Sequence, residues 1–185
     1  MNTIAPLIDS FLRHVVINDT EIYNEFSLQH ELGIFLRNAL PEYKVQFERN
    51  ISYFAKDKRT FTKRELDVAV FSKDCKELKL AIELKFPRSG QVPEQMFSFC
   101  KDLAFAEELK TAGFAEAALL IFVDDHLFYQ GPKDGIYAYF RGGKPITGII
   151  QKPTGAKNES VMIKGSHVAK WAPLRSNIKY SLIVV

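Results

Sequence analysis

Ile4, Leu7, Ile8, Phe11, Leu12 and Val15 recur at helical spacing and predict an amphipathic helix over residues 3–16, ending before Asn18-Asp19. A second helix is predicted from about Asn24 to Ala39, with Leu28, Leu32, Phe35, Leu36 and Ala39 as its apolar stripe and Pro41 closing it. Val45, Phe47, Ile51 and Tyr53 suggest a strand or bent strand. Two clearer strands follow. In residues 65–71, Leu66, Val68 and Val70 alternate with Glu65, Asp67 and Ala69; in residues 80–86, Leu80, Ile82, Leu84 and Phe86 alternate with Glu83 and Lys85. Each strand therefore carries charge on one face.

The loop Pro87–Val92 leads into a long helix predicted from Pro93 to about Ala112, with Pro93 suited to its first turn and Gly113 to its C-terminal cap. Ala117–Val123 is a continuous apolar run, as expected of a buried and parallel strand after a crossover helix. The middle of the chain thus reads β-β-α-β. Beyond Asp124, short strands are suggested at Leu127–Tyr129, Ile136–Phe140, Ile146–Ile150, Val161–Ile163 and Tyr180–Val184, with Gln151–Glu159 as an exposed loop. There is no internal repeat.

Composition narrows the class. With 185 residues, 46% hydrophobic and 25% charged, the chain has the size and make-up of one folded domain, 1–185, which excludes disorder, collagen and coiled coil. No apolar run approaches the roughly 20 residues of a membrane helix, and Asp9, Arg13 and His14 interrupt the stretch where a signal peptide would be apolar, so the expected location is cytoplasmic, with no membrane partner. Cys75 and Cys100 lack metal-type spacing and are expected to be reduced. Net charge is +3, but residues 1–50 hold 4 Lys+Arg against 7 Asp+Glu, leaving 21 against 15 in residues 51–185. The first part is −3 and the rest +6, a distribution compatible with a polyanionic partner.

The candidate chemistry lies on the two clear strands. Asp67 on one, and Glu83 with Lys85 on the next, supply what metal-dependent phosphodiester hydrolysis needs: hard oxygen ligands for magnesium, and a cationic side chain beside them to orient or deprotonate water or to stabilise charge at phosphorus. Adjacent antiparallel strands lie about 4.8 Å apart, so Asp67 and Glu83 meet at one ion if the register sets them opposite or diagonal.

Glu31 on a helix, Asp67, then Glu83-Leu84-Lys85, then a helix bearing Gln95, resembles the PD-(D/E)XK nuclease superfamily over about residues 24–123. The resemblance implies an α/β fold with a restriction-endonuclease-like core, a small mixed sheet flanked by helices. It implies Asp67 and Glu83 as metal ligands, Glu31 as the supporting helix acid, Lys85 as the catalytic lysine, and Gln95 as a catalytic glutamine found in some members. It also implies Mg2+, with Mn2+ as a substitute, and DNA rather than RNA as substrate. The chain departs from the namesake pattern in having Leu66 where the motif has proline. Glu25 competes with Glu31 for the helix acid, and Asp102 lies seven residues after Gln95 on the same side of its helix.

The basic residues Lys56, Lys58, Arg59, Lys63 and Arg64, with Arg88 after the Glu-x-Lys strand, are candidate phosphate contacts, and Tyr53, Phe54 and Phe61 could stack on bases. A second, more dispersed basic set is Lys152, Lys157, Lys164, Lys170, Arg175 and Lys179. Cutting both strands of a duplex would call on a homodimer. The competing reading is a nuclease-fold protein without catalysis, acting as a nucleic-acid-binding or protein-interaction module.

Overall fold

The computed structural model describes residues 4–55, 61–155, 158–175 and 177–185. Two helices open the chain, α1 (Ile4–Ile17) and α2 (Glu25–Ala39). The start of α2 is fixed by sequence: Asn24 Oδ1 accepts the Ser27 amide hydrogen at 2.8 Å while Ser27 Oγ accepts that of Asn24 at 3.1 Å, a reciprocal cap that satisfies two otherwise orphaned donors. Strand β1 (Tyr43–Asn50) then runs into a 3-10 turn, Ile51–Tyr53, because the Asn50 side chain takes the Ser52 amide and turns the chain out of the extended path. Of the bent strand anticipated here, only the part up to Asn50 is a strand.

Strands β2 (Glu65–Ser72) and β3 (Leu78–Lys85) form an antiparallel hairpin, α3 (Val92–Thr111) crosses over, and β4 (Glu116–Val123) returns parallel to β3. Gly113, at φ +115°, supplies the left-handed residue that ends α3. With β7 (Ala172–Pro173) and β8 (Lys179–Val184) the sheet is six-stranded and mixed, in the order β1-β2-β3-β4-β8-β7. Strands β5 (Ile146–Gln151) and β6 (Ser160–His167) form a separate antiparallel pair.

Helices cover both faces of the sheet. Ile8, Phe11 and Leu12 of α1 and Leu28, Leu32 and Leu36 of α2 pack with Val68, Val70, Leu80, Ile82 and Leu84 on one face. On the other, α3 places Phe105 and Leu109 against Ala69, Phe71, Ala81 and Ala117. Further along, Phe99 and Leu103 of α3 share a core with Leu119 and Ile121 of the sheet and with Ile150 and Ile163 of the β5–β6 pair. Buried on two sides, α3 has no clean polar stripe, and Asp102 and Glu107 are among its buried residues.

Two of the short segments after Asp124 differ from expectation. Residues around Leu127–Tyr129 form a 3-10 turn (His126–Phe128), and Ile136–Phe140 falls in a short helix, α4 (Tyr137–Arg141). Ile136 and Phe140 are buried while Tyr137 and Tyr139 are only partly so, a four-residue spacing that burial against α3 selects over the strand preference of their aromatic side chains. The other three suggested strands are β5, β6 and β8. Among the described residues, no helix is long and apolar enough to cross a membrane.

Candidate functional site

The β2–β3 register pairs Val68 with Ile82 and Ala69 with Ala81, so one step further along Asp67 stands opposite Glu83. The two carboxylates are anchored by each other's strand: Leu84 donates its amide hydrogen to Asp67 Oδ2 at 2.7 Å, and Asp67 donates its own to Glu83 Oε1 at 3.2 Å. Asp67 is 7% exposed and Glu83 fully buried. Each carboxylate thus commits one oxygen to a main-chain donor and turns the other toward a shared cation, the ammonium of Lys63.

Lys63 Nζ is hydrogen-bonded to Glu83 Oε2 and lies 3.0 Å from Asp102 Oδ1 and 3.7 Å from Asp67 Oδ1. Asp102 reaches the cluster from the buried side of α3. Among the described residues, its other oxygen, Oδ2, is buried and accepts no hydrogen bond, and Lys85 Nζ lies 3.5 Å from it. Lys85 in turn pairs with Glu25 Oε1 at 3.3 Å, and Glu25 Oε2 accepts the Phe86 amide hydrogen at 3.1 Å. Gln29, one turn after Glu25, donates to the Asp67 carbonyl at 3.1 Å.

Burial sets the electrostatics. Glu83 is held well above the usual carboxylate range by its removal from water and by the neighbouring Asp67 charge, against the pull of Lys63. Burial likewise raises Asp102, with Lys85 and Lys63 opposing. Burial works against the charge of Lys63, but Glu83, Asp102 and Asp67 outweigh it and keep the ammonium above its ordinary value. For Lys85 burial is again outweighed, here by Asp102 and Glu25, so its ammonium is retained at neutral pH. In this state Lys85 is suited to stabilising negative charge or orienting water and not to accepting a proton.

The cluster opens onto a cleft of about 490 Å³ whose walls include Glu25, Phe26, Lys63, Arg64, Asp67 and Lys85. Phe26 is 76% exposed at its rim. Asp67, Glu83 and Lys85 are therefore brought together, and the helix acid that joins them is Glu25, not Glu31. Six residues further along α2, Glu31 is turned about 240° around the axis and, among the described residues, makes none of the cluster's hydrogen bonds or ion pairs. Gln95 is also elsewhere: its Nε2 donates to the Ser89 carbonyl at 2.9 Å and braces the loop before α3, while Asp102, about two turns on, occupies the position facing the strands.

The basic candidates divide. Lys63 lies inside the carboxylate cluster, Arg64 is exposed on the cleft wall, and Arg88 pairs with Asp124 beyond β4. Lys56, Lys58 and Arg59 lie outside the described residues, as does Lys157. Much of the C-terminal set serves internal contacts: Arg175 binds Asp19 Oδ1 at 2.8 Å, Lys152 reaches Glu94 and Glu159, and Lys179 lies over the Tyr129 ring.

No family model, curated protein or solved structure matches this chain. Among the described residues, no group of three or more His, Cys, Asp or Glu side chains is placed to hold a metal ion. What is present is an oxygen-only pair, Asp67 Oδ1 and Glu83 Oε2, both directed at one cation. Magnesium is commonly held by one or two carboxylates, with water and substrate phosphate completing its shell, so this pair fits a hard divalent ion in the place of the ammonium.

Proposed function

We propose that this chain is a metal-dependent nuclease with a restriction-endonuclease-like core that hydrolyses phosphodiester bonds, in DNA by preference. The observation that carries the reading is the pairing of Asp67 and Glu83 across β2 and β3 with Lys85 at the end of the same strand, open to a cleft. Mg2+ or Mn2+ held by Asp67 and Glu83 would supply Lewis acidity at the phosphate. The side chains provide the rest. Glu25 and Asp102 hold the Lys85 ammonium in place, where it stabilises charge developing on the phosphate or orients the attacking water. Arg64, on the cleft wall, offers the backbone a cationic contact, and exposed Phe26 offers a base a stacking face. Burial of the acids keeps these charges poorly screened, which strengthens their action on a bound phosphate.

The presence of the Lys63 ammonium among the carboxylates favours one second reading, a nuclease-fold protein that binds nucleic acid or another protein without cutting. One experiment separates the two. Supercoiled plasmid and labelled single-stranded, duplex and branched DNA are incubated with Mg2+, Mn2+ or chelator, using wild type, Asp67→Ala and Lys85→Ala. Metal-dependent cutting lost by at least about 100-fold in both folded variants is the expected result. A folded Asp67→Ala protein that still cuts would overturn the site assignment, and salt-sensitive binding indifferent to metal, with no cutting, would support the second reading.

A further inference from the structure

Glu83 is fully buried, and the cation in direct contact with it is supplied by the chain itself. A carboxylate so placed keeps its charge only beside a positive group, and an ammonium and a divalent ion cannot share the position, because like charges at that range repel in a poorly screened site. Lys63 is also placed to leave. It belongs to the irregular stretch before β2 and not to a strand ladder, and its side chain keeps 28% of its surface exposed along the Phe105 ring. It shares the cleft wall with exposed Arg64.

Resting on the metal-site reading above, we propose that Lys63 is a resident counter-ion that holds the divalent-cation position of the Asp67–Glu83 pair, is exchanged for the metal, and on release joins Arg64 at the cleft as a phosphate contact. The exchange keeps Asp67 and Glu83 neutralised in both states: the metal-free site closes on its own ammonium, and metal entry exposes a new cation to the substrate backbone. Asp102, whose Oδ1 lies 3.0 Å from Lys63 Nζ, is the acid that the ammonium gives up along with the pair.

The test is direct Mn2+ binding, followed by the electron paramagnetic resonance signal of the free ion, for wild type, Lys63→Gln and Asp67→Ala. Lys63→Gln is expected to bind Mn2+ at least about ten-fold tighter than wild type, and Asp67→Ala to lose binding. A second measurement needs no variant at Lys63. Acylation of the wild-type amine, located by mass spectrometry, should run several-fold faster at Lys63 with Mn2+ present than with chelator. If Lys63→Gln binds Mn2+ no tighter, or Lys63 acylation does not rise with Mn2+, the exchange is overturned while the nuclease reading stands. If neither wild type nor Lys63→Gln binds Mn2+, or Asp67→Ala binds as well as wild type, the metal-site reading fails and the exchange with it.

Discussion

Glu83 shows how a single residue's surroundings set its chemistry. On a half-exposed strand, Glu-x-Lys would be an ordinary solvated pair. Here the carboxyl is fully buried beside Asp67, and its pKa is raised by burial first and by that neighbour second. The folded protein therefore holds the Glu83 proton to a higher pH than the unfolded chain, whose glutamates titrate near 4.3. Stability from this group is fully present below the unfolded pKa and is lost as pH rises through the folded one. Relative to Glu83→Gln, wild type is expected to lose stability as pH climbs from about 4 toward neutrality, and urea unfolding of both proteins across that range measures it. A difference that does not change with pH would refute the assignment.

At the scale of the element, the placing of α2 decides which acid reaches the strands. The Asn24–Ser27 cap sets where the helix begins, and Glu25 and Gln29 then follow on one face toward the end of β3 and the Asp67 carbonyl. Gly33 lets this helix lie close to β1: a Cβ there would run into the ring of Phe47. Gly33→Val should therefore push α2 outward, costing about 1–3 kcal/mol of stability and, under the proposed function, lowering cleavage through the displaced Glu25. Thermal unfolding and activity measured on the same sample check this, and an equally stable, fully active variant would show that the close approach is dispensable. The helix acid was open at the level of sequence because Glu25 and Glu31 each lie three residues from Leu28 on the apolar stripe, and which of them reaches the end of β3 is set by how α2 docks along the strands.

Over the whole molecule, α3 is the shared support. It covers the face of the main sheet that carries Asp67 and Glu83, and its other side is covered by the β5–β6 pair. The contact is fastened by Glu107, whose carboxylate accepts the amide hydrogens of Lys164 at 2.8 Å and Gly165 at 2.7 Å and shares a 2.8 Å hydrogen bond with His167 Nε2. Glu107→Ala leaves those partly buried donors without an acceptor, and the expected cost is about 2–4 kcal/mol. Denaturant titration reads the loss, and hydrogen exchange should locate it first in β6. A cost below about 0.5 kcal/mol would mean that apolar packing alone holds the pair on α3.

The local pattern of the chain determined much of this protein. Helical spacing over residues 3–16 and about 24–39, alternation in β2 and β3, the unbroken apolar run of β4 and the Pro93 and Gly113 boundaries of α3 are all short-range signals, and the structure follows them to within a residue or so at the helix ends. So was the face shared by Glu83 and Lys85, because alternation is a property of the strand itself. Tertiary structure decided what depends on distant parts of the chain: that Asp67 lies opposite Glu83, that Glu25 and Asp102 complete the cluster, and that Lys63, which reads in sequence as one of a run of surface cations, turns inward to neutralise it. It also turned Ile136–Phe140 into a helix and stacked β5 and β6 on α3. Periodicity reports which face of an element is apolar, whereas the partner of a buried charge is fixed only when separate elements pack and remove water from between them.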